Sequence, residues 1–143
     1  MSQTPSSLVR EFCNALTSGS MAPARVLLHD EVYYHNQPWQ PMTGADAVCA
    51  FLQPFVDGTH CRCVEMNILH QAADGETVMN AREELWVRGE LKVLLPVAGL
   101  FIVQQERITR WVDYWDLAAF QPMIDAVAVG GLRRRRYRIG EKR

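Results

Sequence analysis

The chain has 143 residues and a mass of 16.3 kDa, which suits one domain with one core and leaves little room for a second. Hydrophobic residues make up 48% and charged residues 22%, which excludes a disordered, collagen-like or coiled-coil chain. The net charge of -1 hides an asymmetry: residues 131–143 hold seven of the basic residues and one acid, so an acidic body of -7 carries a basic end of +6.

Taken in order, the start MSQTPSSLVREF lacks a basic segment followed by an apolar one, and no apolar run reaches the roughly 18–20 residues that span a bilayer. Neither export nor membrane insertion is indicated, and a cytoplasmic location is expected. Thr4-Pro5 can open a helix, because threonine caps and proline fits the first helical position. Leu8, Phe12 and Leu16 then recur every four residues, and Gly19 can stop the helix. A second short helix is expected over Ala22 to Leu28, and a third after Asp46 in AVCAFLQPFV, with Pro54 breaking or kinking it. Between them EVYYHN reads as a strand, with Val32, Tyr34 and Asn36 on one face.

From residue 60 the pattern changes. HCRCVEMNILHQ, TVMNAREELWVRG, LKVLLPVAGLFIV and RITRWVDYWDL are strand-like and are separated by the turn signals Asp74-Gly75, Arg88-Gly89 and QQER. They predict consecutive antiparallel hairpins. LAAFQPMIDAVAV returns to helix before Gly130-Gly131. Helices followed by a strand meander argue for an α+β fold, with helices over one face of a curved sheet. No linker or repeat divides residues 1–130, which read as a single domain followed by a basic tail at 131–143. That tail could hold phosphate, anionic lipid or the protein's own acidic surface. Without an aromatic-basic platform or a reading helix, it predicts neither a nucleic-acid nor a membrane partner.

Four cysteines, at 13, 49, 61 and 63, include a Cys-x-Cys pair beside His60, but paired CxxC motifs are absent. Reduced, buried thiols are the expectation, with no metal.

The informative residues are the charges inside apolar strands. A period of two puts Asn80, Arg82, Glu84 and Trp86 on one face, and Trp111, Asp113 and Trp115 on one face of the last strand. Arg82 and Glu84 alone would read as an exposed ion-pair stripe. With Asp113, Tyr34 and Asn36 they can instead converge in a pocket, where two carboxylates with an arginine between them share a proton and one serves as acid, the other as base.

The segments Tyr34-His35-Asn36-Gln37-Pro38, Thr43-Gly44-Ala45-Asp46-Ala47-Val48, Arg82-Glu83-Glu84, Gly99-Leu100-Phe101 and Ile108 to Leu117 occur in this order and together resemble the limonene-1,2-epoxide hydrolase family. The resemblance covers most of residues 5–125. It implies a cone-shaped, curved mixed sheet of the nuclear-transport-factor-2-like (SnoaL-like) type with N-terminal helices over its concave face. It also implies a homodimer, an apolar pocket for a small, mostly apolar epoxide and water, and no cofactor. Carried over residue by residue, it makes Asp113 the general base, has Tyr34 and Asn36 position the water, and has Arg82 bridge the carboxylates. Glu84 stands where the family has an aspartate as its acid. The apolar Trp86, Leu95, Val97 and Trp111 are then candidates for the substrate wall, although core packing explains them equally well. Two other readings remain open at this stage. One is an isomerase or polyketide cyclase that uses Asp113 as a base; the other is a noncatalytic domain that binds apolar ligands.

Overall fold

In the computed structural model, backbone is described for residues 3–141 and side chains for residues 3–130. The first helix, α1 (Pro5–Ala15), starts as its sequence demands: the Thr4 hydroxyl accepts from the Ser7 amide at 3.1 Å and Pro5 occupies the first turn. Leu8, Val9, Phe12 and Cys13 form its buried stripe. The helix closes at Ala15, before Gly19, which sits in the following turn at φ +91°.

The second helix, α2 (Ala22–Arg25), is shorter than the expected Ala22 to Leu28. Its continuation is drawn into the sheet, where the Leu27 carbonyl accepts from Ile108 N at 2.8 Å and Leu28 begins β1 (Leu28–Asn36). A two-residue strand, β2 (Met42–Thr43), leads to α3 (Ala45–Val56). Pro54 neither breaks this helix nor ends it at once. It lies in the last turn, where the missing N–H costs a single bond.

Four long strands follow: β3 (Arg62–Asp74), β4 (Thr77–Arg88), β5 (Leu91–Gln104) and β6 (Arg107–Trp115). They pair antiparallel in sequence, as the turn signals predicted. Two-residue connections join them, with Gly75 and Gly89 at φ +59° and +57°, the left-handed backbone that tight hairpins need. At the third turn Gln105 and Glu106 adopt that conformation without glycine, at φ 52° and 60°.

The sheet order is β2-β1-β6-β5-β4-β3, mixed because β1 runs parallel to β6. Its two ends do not pair, so the sheet curves without closing. Helix α1 packs against β3, β4 and β5, and α3 against β1 and β3. The last helix, α4 (Leu117–Glu141), contains Pro122, packs against β5, and continues through Gly130-Gly131 instead of ending there. The basic tail expected at 131–143 falls outside the described side chains.

Two apolar clusters result. One lies under α1 and α3 around Leu8, Phe12, Phe101 and Trp111; the other lies under α4 around Val93, Leu95, Val97, Phe120 and Met123. Among the described residues, no helix is long and apolar enough to cross a membrane.

Candidate active site

Between the two clusters the concave face opens a cavity of about 70 Å³, room for roughly two waters at about 30 Å³ each in the liquid. Its wall is aromatic. All four tryptophans of the chain, at 39, 86, 111 and 115, line it with Phe51 and Phe55 from α3 and Phe120 from α4. Trp39 is held over it by the β1–β2 loop, where the His35 Nε2–H donates to the Trp39 carbonyl at 2.8 Å.

Into this apolar wall the strands set a few polar groups. Their alignment follows from register: Asn36 pairs with Asp113, Asp113 with Gly99, Gly99 with Asn80, and Asn80 with Gln71. These five residues form one level across β1, β6, β5, β4 and β3. Arg82 and Glu84 follow on β4, on the same inward face.

Arg82 is buried to 2% exposure and ties the level together. Its Nη2 donates to Asp113 Oδ2 at 2.7 Å, its Nε to Glu84 Oε2 at 2.8 Å, and its Nη1 to Asn80 Oδ1 at 3.0 Å. Asn80 donates to Gln71 Oε1 at 3.2 Å. Gln71 in turn donates to the Ser6 hydroxyl at 2.7 Å and the Ser6 carbonyl at 2.9 Å. The guanidinium is thus fixed from the carboxylates back to the first turn of α1. The exposed ion-pair reading of Arg82 and Glu84 is thereby excluded.

Each carboxyl also has its second oxygen engaged. Trp111 Nε1 donates to Asp113 Oδ1 at 2.9 Å, and Trp86 Nε1 to Glu84 Oε1 at 3.1 Å. A carboxylate oxygen has two lone-pair sites, so one donor on each leaves acceptor capacity toward the cavity. Two residues beyond Asp113 on β6, Trp115 Nε1 donates to Asn36 Oδ1 on neighbouring β1 at 2.6 Å. That contact fixes the amide orientation and leaves the Asn36 NH₂ to donate. The Tyr34 ring packs 4.2 Å from Trp111, and among the described residues its hydroxyl has no protein partner.

These environments separate the groups electrostatically. Burial pushes the Glu84 carboxyl above the ordinary carboxylate range, and the nearby Asp113 charge adds to this, while Arg82 opposes it. Glu84 therefore holds a proton more readily than a solvated glutamate. Burial works against the Arg82 charge, but Asp113 and Glu84 hold the guanidinium well above its ordinary value. Burial also pushes the Tyr34 hydroxyl well up, aided by Asp113 and Glu84, so it stays a neutral donor.

Eight of the nine residues expected from the sequence line the cavity: Tyr34, Asn36, Glu84, Trp86, Leu95, Val97, Trp111 and Asp113. Arg82 lies behind them, in contact with both carboxyls but not in the wall. Sequence reasoning gave no role to the support: Asn80 and Trp115, which it put on the faces of the polar residues, Gly99, which it read only within a motif, and Gln71 and Ser6. Asn80 was readable, because the alternation Asn80-x-Arg82-x-Glu84 puts it on the same face; the Gln71 to Ser6 contact crosses 65 residues and leaves no local trace. The cysteines are unbridged, with Cys13, Cys61 and Cys63 buried. Burial pushes the Cys61 thiol up to about 11 and Cys13 to about 12.

Residues 3–131 match the family model described as limonene-1,2-epoxide hydrolase catalytic domain. Epoxide hydrolase EphG of Mycobacterium tuberculosis is 29% identical over 109 residues, 76% of this chain and 71% of that protein. The solved structure of an M. tuberculosis LEH-like epoxide hydrolase matches with a TM-score of 0.73 at 26% identity, over 90% of this chain and 92% of the other. An NTF2-like protein from Cytophaga hutchinsonii shares the fold, with a TM-score of 0.67 at 16% identity over 87% and 97% of the two chains.

Proposed function

The chain belongs to the limonene-1,2-epoxide hydrolase family, and from that premise we propose that it adds water to a small, mostly apolar epoxide in one step to give a vicinal diol. The observation that carries this reading is the Arg82 clamp: one guanidinium holds Asp113 and Glu84 at 2.7 and 2.8 Å in the wall of an aromatic cavity.

In the proposed reaction Asp113 is ionised and Glu84 protonated. A water held by Tyr34, Asn36 and Asp113 gives its proton to Asp113 as its oxygen attacks one epoxide carbon. The bond from that carbon to the ring oxygen breaks, and the oxygen takes the proton of Glu84. Two carboxyls have exchanged protonation, and one proton returns from Asp113 to Glu84 to reset the site. The net charge of the Asp113, Arg82 and Glu84 group is the same before and after. Arg82 is hydrogen-bonded to an anionic carboxylate at both ends of the step, so little reorganisation is required around it. No covalent ester to the protein forms.

A cavity of about 70 Å³ favours a compact substrate, and its indole and phenyl walls favour an apolar one. The same reading includes a homodimer, which sedimentation velocity tests. A panel of terminal, cyclic and terpene epoxides assayed for diol is the direct test of activity. Folded protein that forms no diol across the panel overturns the reading. With an active substrate, single turnover in oxygen-18 water is expected to put solvent oxygen in the diol. Oxygen originating from the protein would instead show an ester intermediate.

A further inference from the structure

Glu84 reaches one methylene farther than the aspartate that the family resemblance puts at its position, and its carboxyl has one more torsion through which to drift. In this chain both carboxyl oxygens are held: Oε2 accepts from Arg82 Nε at 2.8 Å and Oε1 from Trp86 Nε1 at 3.1 Å. Glu84 and Trp86 stand two residues apart on β4, so their side chains leave the same face of the strand. The indole is itself braced. Its ring lies edge-on to Phe120 at 5.4 Å and to Phe55 at 6.4 Å between centroids. An indole N–H only donates, so it fixes a carboxyl oxygen without competing for the proton an acid must deliver.

We propose that Trp86 is a positioning residue for the acid: its N–H locks the Glu84 carboxyl in place, and the glutamate and the tryptophan work as a matched pair. The kinetic consequence rests on the hydrolase reading, whereas the hydrogen bond does not. The direction of the effect is defined. The Trp86 donor favours ionised Glu84 while burial opposes ionisation, so removing the donor raises the proton affinity of the carboxyl further.

Four proteins test the pair: the unaltered chain, Trp86→Phe, Glu84→Asp and the double variant. Phenylalanine keeps a ring in the wall but removes the donor together with part of the indole's volume, a loss common to both backgrounds that the double variant subtracts. Beside Glu84, Trp86→Phe is expected to lower kcat by about tenfold, the scale of one lost hydrogen bond, with KM little changed and the high-pH limb of kcat/KM moved upward. In the Glu84→Asp background the carboxyl stands one methylene back from the indole, and the same change is expected to cost less than about twofold. Equal losses in both backgrounds would make Trp86 wall packing alone and overturn the proposal.

A second measurement needs no substrate. In the nitrogen-15 spectrum of the indole N–H groups, the Trp86 signal is identified by its loss in Trp86→Phe. It is expected to move with pH as Glu84 titrates, and to lose that movement in Glu84→Gln. A Trp86 signal that is the same with and without the glutamate overturns the proposal even in an active hydrolase. No diol from any epoxide, together with an intact indole titration, would refute the hydrolase reading and leave the Trp86–Glu84 lock standing.

Discussion

Arg82 reaches Asp113, two strands away, by passing over the backbone of Gly99. Gly99 on β5 is in register with Asn80 on one side and Asp113 on the other, and its inward position is filled by the guanidinium instead of a side chain of its own. A Cβ there would stand 2.8 Å from Phe101 Cε2 and 3.0 Å from Asn80 Oδ1, in collision also with Arg82 Nη1. Gly99→Ala is therefore expected to cost about 1–3 kcal/mol by overpacking. Urea unfolding reads this as a lower midpoint, and diol formation should fall with it because Arg82 must move. Unaltered stability and turnover would show that the Arg82 crossing tolerates a methyl group.

Asp113→Asn keeps the side-chain volume and an acceptor for Trp111, and removes the proton acceptor. General base catalysis contributes about 10²–10⁴ in rate, so turnover should fall by at least about 100-fold with the circular dichroism spectrum preserved. Near-normal turnover would remove Asp113 from the role of base.

The chain of hydrogen bonds behind Arg82 should be graded in importance. Asn80→Ala leaves a buried guanidinium N–H without its acceptor, at a cost of about 1–3 kcal/mol. Gln71→Ala removes a partner one step farther back and should cost less. Denaturation of the two variants tests the order, and a larger loss in Gln71→Ala would place the anchor at α1 instead of at Arg82.

Glu84 should leave a mark on the pH dependence of stability. Its folded-state proton affinity is raised, so between the ordinary glutamate value near about 4.3 and its raised value the native state binds more protons than the unfolded state. Stability from this group is complete below that window and is lost as pH rises through it. Glu84→Gln should abolish that part of the slope. Unfolding free energies measured across the window for both proteins make the comparison; parallel curves would mean that Glu84 titrates as a solvated glutamate does.

The strand alternation was enough to put Arg82, Glu84, Asp113, Tyr34 and Asn36 on inward faces, because a period of two is a local property of the chain. It could not show burial, which depends on helices α1, α3 and α4 closing over those faces. For that reason a surface ion-pair stripe remained a fair reading of Arg82 and Glu84. The misjudged boundaries have similar causes. Leu27 and Leu28 have helical neighbours in sequence but strand partners in space, and Pro54 is tolerated because it falls where α3 is already ending. Gly99 was legible only as part of a motif, since its role depends on what crosses it from another strand.

The five-residue level from Asn36 to Gln71 also bears on how the protein assembles. Residues 77–115 form one uninterrupted meander, so Arg82, Glu84 and Asp113 meet through hairpins that close short loops. Asn36 and Tyr34 join by the parallel β1–β6 pairing, and the Trp115–Asn36 bond spans 79 residues, a contact whose loop closure costs somewhat more than that of the hairpins. A slip of one residue in that pairing would keep backbone hydrogen bonding while turning both side chains out of the cavity. The correct β1–β6 register is therefore a condition for a working cavity that the meander of β3 to β6 does not by itself impose.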